Sequence, residues 1–175
     1  MKEIEPIIFK YPLATTLNPL LQSEIEGALT DRLGGGKHLG ARRTDMNFHQ
    51  QNKPALNTLV KWLEGLFSDV GKHFSLPRVK QPSYSFTLKD CWGIIYDKDC
   101  CVIEHNHFPY ALTFSYCVTS PRDTSPIIVN EKPYYLQVGE CFFFPSLYSH
   151  EVKPSQKEGR VVIVGNMYWT RDEHH

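Results

Sequence analysis

Between Tyr84 and Trp169 the sequence breaks into short runs of aromatic and β-branched residues, each closed by a turn signal. No other feature constrains the fold as much. The runs are Tyr84–Leu88, Cys91–Tyr96, Cys101–His107, Leu112–Thr119, Ile127–Val129, Tyr134–Leu136, Glu140–Phe144, His150–Val152 and Arg160–Trp169. Such a series predicts an antiparallel, mainly β unit. Phe142, Phe143 and Phe144 are apolar on both strand faces, so that strand is expected to lie buried between two layers.

The N-terminal third has a different texture. From Asn18 to Leu33, apolar residues recur at helical spacing, with Asn18-Pro19 as cap and first-turn pair and Gly34–Gly36 as the stop. A second helix is predicted from Pro54 to about His73, with Leu56, Leu59, Val60, Leu63, Leu66, Phe67 and Val70 on one face. The polar stretch 37–53 between them holds Arg42, Arg43 and His49 and is long enough for a substrate lid. With 175 residues and no repeat or linker, the chain reads as one domain, 1–76 being mainly helical support and 77–170 the β core. Short strands following two helices predict a double-stranded β-helix, a cupin-like jelly roll with N-terminal support helices.

Charge narrows the functional classes. Nineteen Lys and Arg balance nineteen Asp and Glu, which argues against a nucleic-acid partner or an anionic membrane surface. No apolar run reaches the ~20 residues of a membrane span, and the start Met1–Pro6 lacks a signal core. Five cysteines, with Cys100 and Cys101 adjacent, disfavour a disulfide framework. The expectation is a reduced cytoplasmic protein, in a host cytoplasm if viral. His174 and His175 read as a trimmed expression tag and are set aside.

His105-Asn106-His107 is the sharpest chemical feature. On a strand, residues two apart point the same way, so both imidazoles enter the barrel together as half of a metal site. His150, opening a later strand after Pro145, offers a third imidazole. Arg160 opens the apolar strand Val161–Val164, and the turn-rich stretch 151–159 reads as a hairpin that brings His150 and Arg160 together. Pointing inward, a guanidinium suits a carboxylate held bidentately. Taken singly, each residue has an ordinary explanation as a polar wall, a loop histidine or a rim ion pair. Together they describe a metal site that also binds a small anion.

At this point the sequence resembles the Fe(II)/2-oxoglutarate-dependent dioxygenases. The likeness is to the prolyl-hydroxylase branch, and most of all to small oxygenases of phages and bacteria. The matching pieces are Tyr96–Asp99 with His105 and His107, then Phe114–Tyr116, Gly139 with Pro145, and His150–Pro154 with Arg160 ten residues after His150. The resemblance implies Fe(II) bound by His105, His107 and His150, and 2-oxoglutarate anchored by Arg160. It also implies Tyr96 and Tyr116 flanking the co-substrate. Asn166, in phase with Arg160 along its strand, is a further candidate for the pocket. One departure stands out: typical members carry Asp or Glu where this chain has His107, although the small phage-type oxygenases are similar in carrying a second histidine there. Glu104 lies on the opposite strand face and is a poor substitute.

The activity implied is O2-dependent hydroxylation of a C–H bond, in a prolyl or other peptidyl residue, coupled to decarboxylation of 2-oxoglutarate to succinate. The implied partners are that small-molecule co-substrate and a peptide or protein substrate. One alternative is a three-histidine cupin-type dioxygenase that uses no 2-oxoglutarate and has no need of Arg160. Another is a non-catalytic jelly roll, a sugar-binding or virion-associated module, in which the three histidines do not converge.

Overall fold

The computed structural model describes residues 4–30, 38–74 and 84–171. The elements run β1 (Ile7–Lys10), α1 (Ala14–Glu26), β2 (His38–Leu39), β3 (Arg42–Arg43), α2 (Pro54–Phe74), β4 (Tyr84–Tyr96), β5 (Cys101–His105), β6 (Leu112–Thr119), β7 (Ile127–Val129), β8 (Lys132–Tyr134), β9 (Glu140–Pro145), β10 (His150–Val152) and β11 (Arg160–Arg171). They form two antiparallel sheets, a major one ordered β1-β9-β6-β11-β4-β3 and a minor one ordered β2-β5-β10-β7-β8. This is the expected mainly β jelly roll with N-terminal helices.

Two cores explain why it holds together. The first lies between the major sheet and the helices, built from Leu21, Ile25, Leu56, Leu59, Leu63, Phe114 and Phe143 among others. The second lies between the sheets and includes Trp92, Ile94, Phe142, Phe144 and Val162. The Phe142–Phe144 run feeds both, alternate rings pointing to opposite faces. Each fully buried ring contributes roughly 1.5–3 kcal/mol relative to exposure.

Several boundaries differ from expectation, each for a physical reason. Tyr84–Leu88 and Cys91–Tyr96 are one strand, paired along β11 with a register shift where Asn166 meets Asp90 and Met167 meets Leu88. Asp90, a poor strand former, sits at the irregularity and is absorbed by it. The first helix begins at Ala14, so Pro19 lies inside it and Asn18 is no cap. Asn18 turns instead into the core, where its Nδ2 donates to the Val118 carbonyl at 2.7 Å. Gly27 closes the helix, its N–H donating to the Ser23 carbonyl; the Gly34–Gly36 run lies outside the described residues, as do His174 and His175. The second helix matches its prediction to within a residue. Its first turn is capped from the other helix, with the Glu24 carboxylate accepting from Ala55 N–H at 2.9 Å and Leu56 N–H at 3.0 Å.

The N-terminal third is more than helical support, since β1, β2 and β3 each join a sheet. Strands of two to four residues carry too little alternation to be read from sequence; their partners define them. Described residues 38–53 are accordingly tied down. The Arg42 guanidinium holds Asp97 through two hydrogen bonds of 2.8 and 2.9 Å, and Phe48 is fully buried. The stretch 151–159 is not a hairpin. β10 belongs to the minor sheet and β11 to the major one, so this connection crosses the sandwich, and His150 and Arg160 meet across it rather than along one sheet.

Candidate metal centre

His105 ends β5 and pairs directly with His150, which opens β10. The two imidazoles are therefore a cross-strand pair on the minor sheet. His107 is not on the strand at all. The ladder stops at His105, and the His107 N–H donates to the Ser146 carbonyl at 2.8 Å, in the turn after β9. The i, i+2 strand geometry expected for the two histidines is thus replaced by a turn that swings His107 towards the major sheet. There its ring meets Asn166.

The ligand nitrogens of all three imidazoles lie within 4.8 Å of one another. In each ring Nδ1 faces a carbonyl oxygen: Ile103 O for His105 at 2.8 Å, Tyr148 O for His150 at 3.2 Å, and the Asn166 side-chain oxygen for His107. A carbonyl only accepts, so Nδ1 carries the hydrogen and Nε2 carries the lone pair. The backbone and Asn166 thereby select the tautomer that presents three Nε2 donors inward. His105 Nε2 and His107 Nε2 are 2.9 Å apart. Two nitrogens held ~2.1 Å from one metal at right angles would stand about 3.0 Å apart. The donor set fits a first-row transition metal that accepts imidazole.

A cavity runs from these histidines into the space between the sheets, lined by Trp92, Tyr96, Ser115, Phe144, Val162 and Arg160 among others. Arg160 pairs with Tyr96 at the far end of the β4–β11 ladder and is 6% exposed. Its Nη1 donates to the Ser125 carbonyl at 2.8 Å, and its guanidinium carbon lies 5.1 Å from the centre of the Tyr96 ring. Among the described residues no carboxylate forms an ion pair with it; the ion pairs lie elsewhere. Burial pushes the Tyr96 phenol above its ordinary pKa, and the Arg160 charge pulls it back.

Asn166 lies deep in the wall, its oxygen accepting from Thr113 Oγ1 at 3.0 Å as well as from His107. Tyr116 stands apart from this group. It projects from the other face of β6 into the helix-side core, where its hydroxyl donates to Asn18 Oδ1 at 2.7 Å. Strand phase accounts for this: Thr113 and Ser115 face the cavity, so Tyr116, one residue on, cannot. Glu104 also points outward, its carboxylate accepting from Ser149 Oγ at 2.6 Å. Trp92 and Thr113 carry no signal of their own in the sequence, although Trp92 shares the strand phase of Tyr96, and Ser115 enters there only as part of the Phe114–Tyr116 match.

No family model matches the chain, and no curated protein matches it significantly. Solved structures do. A Pseudomonas putida prolyl-4-hydroxylase aligns with TM-score 0.66 and 14% identity, over 93% of this chain and 91% of that one. The viral collagen prolyl hydroxylase of Paramecium Bursaria Chlorella virus-1, solved with 2OG, aligns with TM-score 0.66 and 11% identity over 93% and 94%. The fold is that of the 2OG-Fe(II) oxygenases. A third match is the non-haem α-ketoglutarate-dependent carbocyclase SnoK of nogalamycin biosynthesis, with TM-score 0.71 and 11% identity over 97% and 82%. Prolyl hydroxylases and a carbocyclase share this framework, so the framework leaves the substrate open. Among the described residues no helix is long and apolar enough to cross a membrane.

Proposed function

We propose that the protein is a non-haem Fe(II) dioxygenase that uses 2-oxoglutarate to hydroxylate a C–H bond of a prolyl or other peptidyl residue. One observation carries the reading: three Nε2 donors converge at one end of a cavity whose other end holds a buried guanidinium with no carboxylate partner among the described residues. A buried charge without a counter-ion is costly, so Arg160 calls for an anionic ligand. A 2-oxo diacid has a chelating end for a metal and a distal carboxylate for the guanidinium. The framework does not choose a substrate; the prolyl or peptidyl class rests on the sequence resemblance to the prolyl-hydroxylase branch.

Fe(II) held by His105, His107 and His150 would supply the redox chemistry, in which one oxygen atom of O2 enters succinate as CO2 is lost and the other enters the hydroxylated product. The chain's own contribution is positioning. The Nδ1 bonds orient the imidazoles, Arg160 sets the reach of the diacid, and Phe144, whose ring lies against that of His150, excludes water from the reacting end. A three-histidine dioxygenase without 2-oxoglutarate is the rival, favoured by the neutral third ligand His107.

Calorimetric titration of 2-oxoglutarate into Mn(II)-loaded protein under anaerobic conditions separates the two. Binding is expected in the wild type. Arg160→Lys keeps the charge but loses the planar fork, which raises the dissociation constant roughly 10- to 150-fold. Succinate release with Fe(II), O2 and proline-containing peptides then tests the substrate. Absence of 2-oxoglutarate binding, or equal affinity in the variant, would move the assignment to the rival.

A further inference from the structure

We infer that Trp92 is a positioning residue whose indole N–H hydrogen-bonds an oxygen at the metal-chelating end of the co-substrate. The inference rests on the function proposed above and adds a second point of recognition to Arg160.

Trp92 is 3% exposed, and its Nε1 is buried without a hydrogen-bond partner. Its side chain lines the cavity that joins the histidines to Arg160. A buried donor left unsatisfied is destabilising, and a phenylalanine would fill the same wall without that penalty. Thr113, Ser146, Asn166 and His107, polar neighbours on that side of the cavity, are already engaged with one another. Thr113 Oγ1 bonds Ser146 Oγ at 2.8 Å and donates to Asn166 at 3.0 Å, and Asn166 accepts from His107. The acceptor for Trp92 is therefore sought in whatever fills the cavity.

Register says which end of the ligand is involved. Along β11 Arg160, Val162 and Val164 line the cavity, and Asn166 follows in the same strand phase behind His107. Their partners on β4 include Tyr96 opposite Arg160 and Trp92 opposite Val164, and Ser115 on β6 completes the Trp92 row. Trp92 thus stands one row from Asn166, which holds His107, and two rows from Arg160. Its ring stacks on that of His107, with centroids 5.9 Å apart and 28° between planes. From there the N–H reaches the oxygens beside the metal, while Arg160 takes the distal carboxylate.

The test uses 15N-tryptophan-labelled, Zn(II)-loaded protein. Three indole N–H signals are expected, from Trp62, Trp92 and Trp169, and the one missing in Trp92→Phe identifies the residue. Saturating 2-oxoglutarate should move the Trp92 signal and leave the other two nearly still. The monoacid 2-oxobutyrate, which lacks the distal carboxylate, should move it as well. Trp92→Phe should bind metal as the wild type does and bind 2-oxoglutarate about 10- to 150-fold more weakly, the scale of one buried hydrogen bond to a charged acceptor. A Trp92 signal that stays still while 2-oxoglutarate saturates the wild type would overturn the inference. So would a response to the diacid but not to the monoacid, or unchanged affinity in the folded variant. If Trp92→Phe does not fold, Trp62→Phe and Trp169→Phe assign the Trp92 signal by elimination, and the wild-type spectra decide. Failure of 2-oxoglutarate to bind the wild type at all would instead remove the co-substrate reading itself, and this inference with it.

Discussion

Asn166→Ala should loosen the metal without touching a ligand atom. In the wild type the Asn166 side-chain oxygen, on a residue only 2% exposed, accepts from His107 Nδ1 and from Thr113 Oγ1. His107 sits in a turn beyond the strand, so this bond carries a larger share of its orientation than the ladder does for His105 or His150. Removing it lets the ring rotate and exchange tautomers, and removes the acceptor that raises the basicity of Nε2. Loss of such an outer hydrogen bond typically weakens metal binding about 10- to 100-fold, equivalent to ~1.4–2.7 kcal/mol. Asn166→Asp supplies a stronger acceptor in the same place and should restore affinity to the wild-type level or better. The assay is Ni(II) or Zn(II) titration by calorimetry with a competing chelator, alongside urea unfolding of the metal-free proteins. Metal-free Asn166→Ala is also expected to lose ~1–3 kcal/mol, because buried donors go unmet. If Asn166→Ala binds metal within twofold of the wild type, the turn alone orients His107 and the reasoning fails.

Tyr116→Phe should cost ~1–2 kcal/mol of stability by urea unfolding, since Asn18 loses its donor. 2-Oxoglutarate affinity should not change, and a marked loss would place Tyr116 in the cavity after all. Gly165→Ala would set a Cβ 2.5 and 2.7 Å from the Phe114 ring and 2.8 Å from the Asp90 carbonyl. The overpacking should cost ~1–3 kcal/mol and weaken metal binding through the adjacent Asn166, so unchanged unfolding would refute the tight contact. His49 is held by burial below its ordinary pKa of about 6.5. The native state then binds fewer protons than the unfolded one, so stability is complete above that value and falls as the pH drops through it. Unfolding at pH 7.5 and 5.5 should show a smaller acid loss in His49→Gln than in the wild type, and equal losses would refute the burial effect.

Much of this molecule is legible from local pattern. Nine short apolar runs with turn signals specify a β sandwich because side-chain alternation and turn chemistry act over a few residues. The face of α2 is likewise written in its 3.6-residue spacing, and Arg160 and Asn166 share a strand phase that can be counted along the chain. Other features are set only when distant segments meet. Two-residue strands such as Arg42–Arg43 exist because β4 has an edge to be paired. Asn18 is a core residue rather than a cap because Val118 and Tyr116, a hundred residues on, offer it better partners than its own helix does. The same holds for the site. The residue types His105, His107 and His150 are visible in the sequence, but strand geometry alone brings only His105 and His150 together. The turn anchored on Ser146 and the oxygen of Asn166 bring in His107, since a ligand beyond the end of a ladder is oriented by tertiary hydrogen bonds and not by its own backbone period.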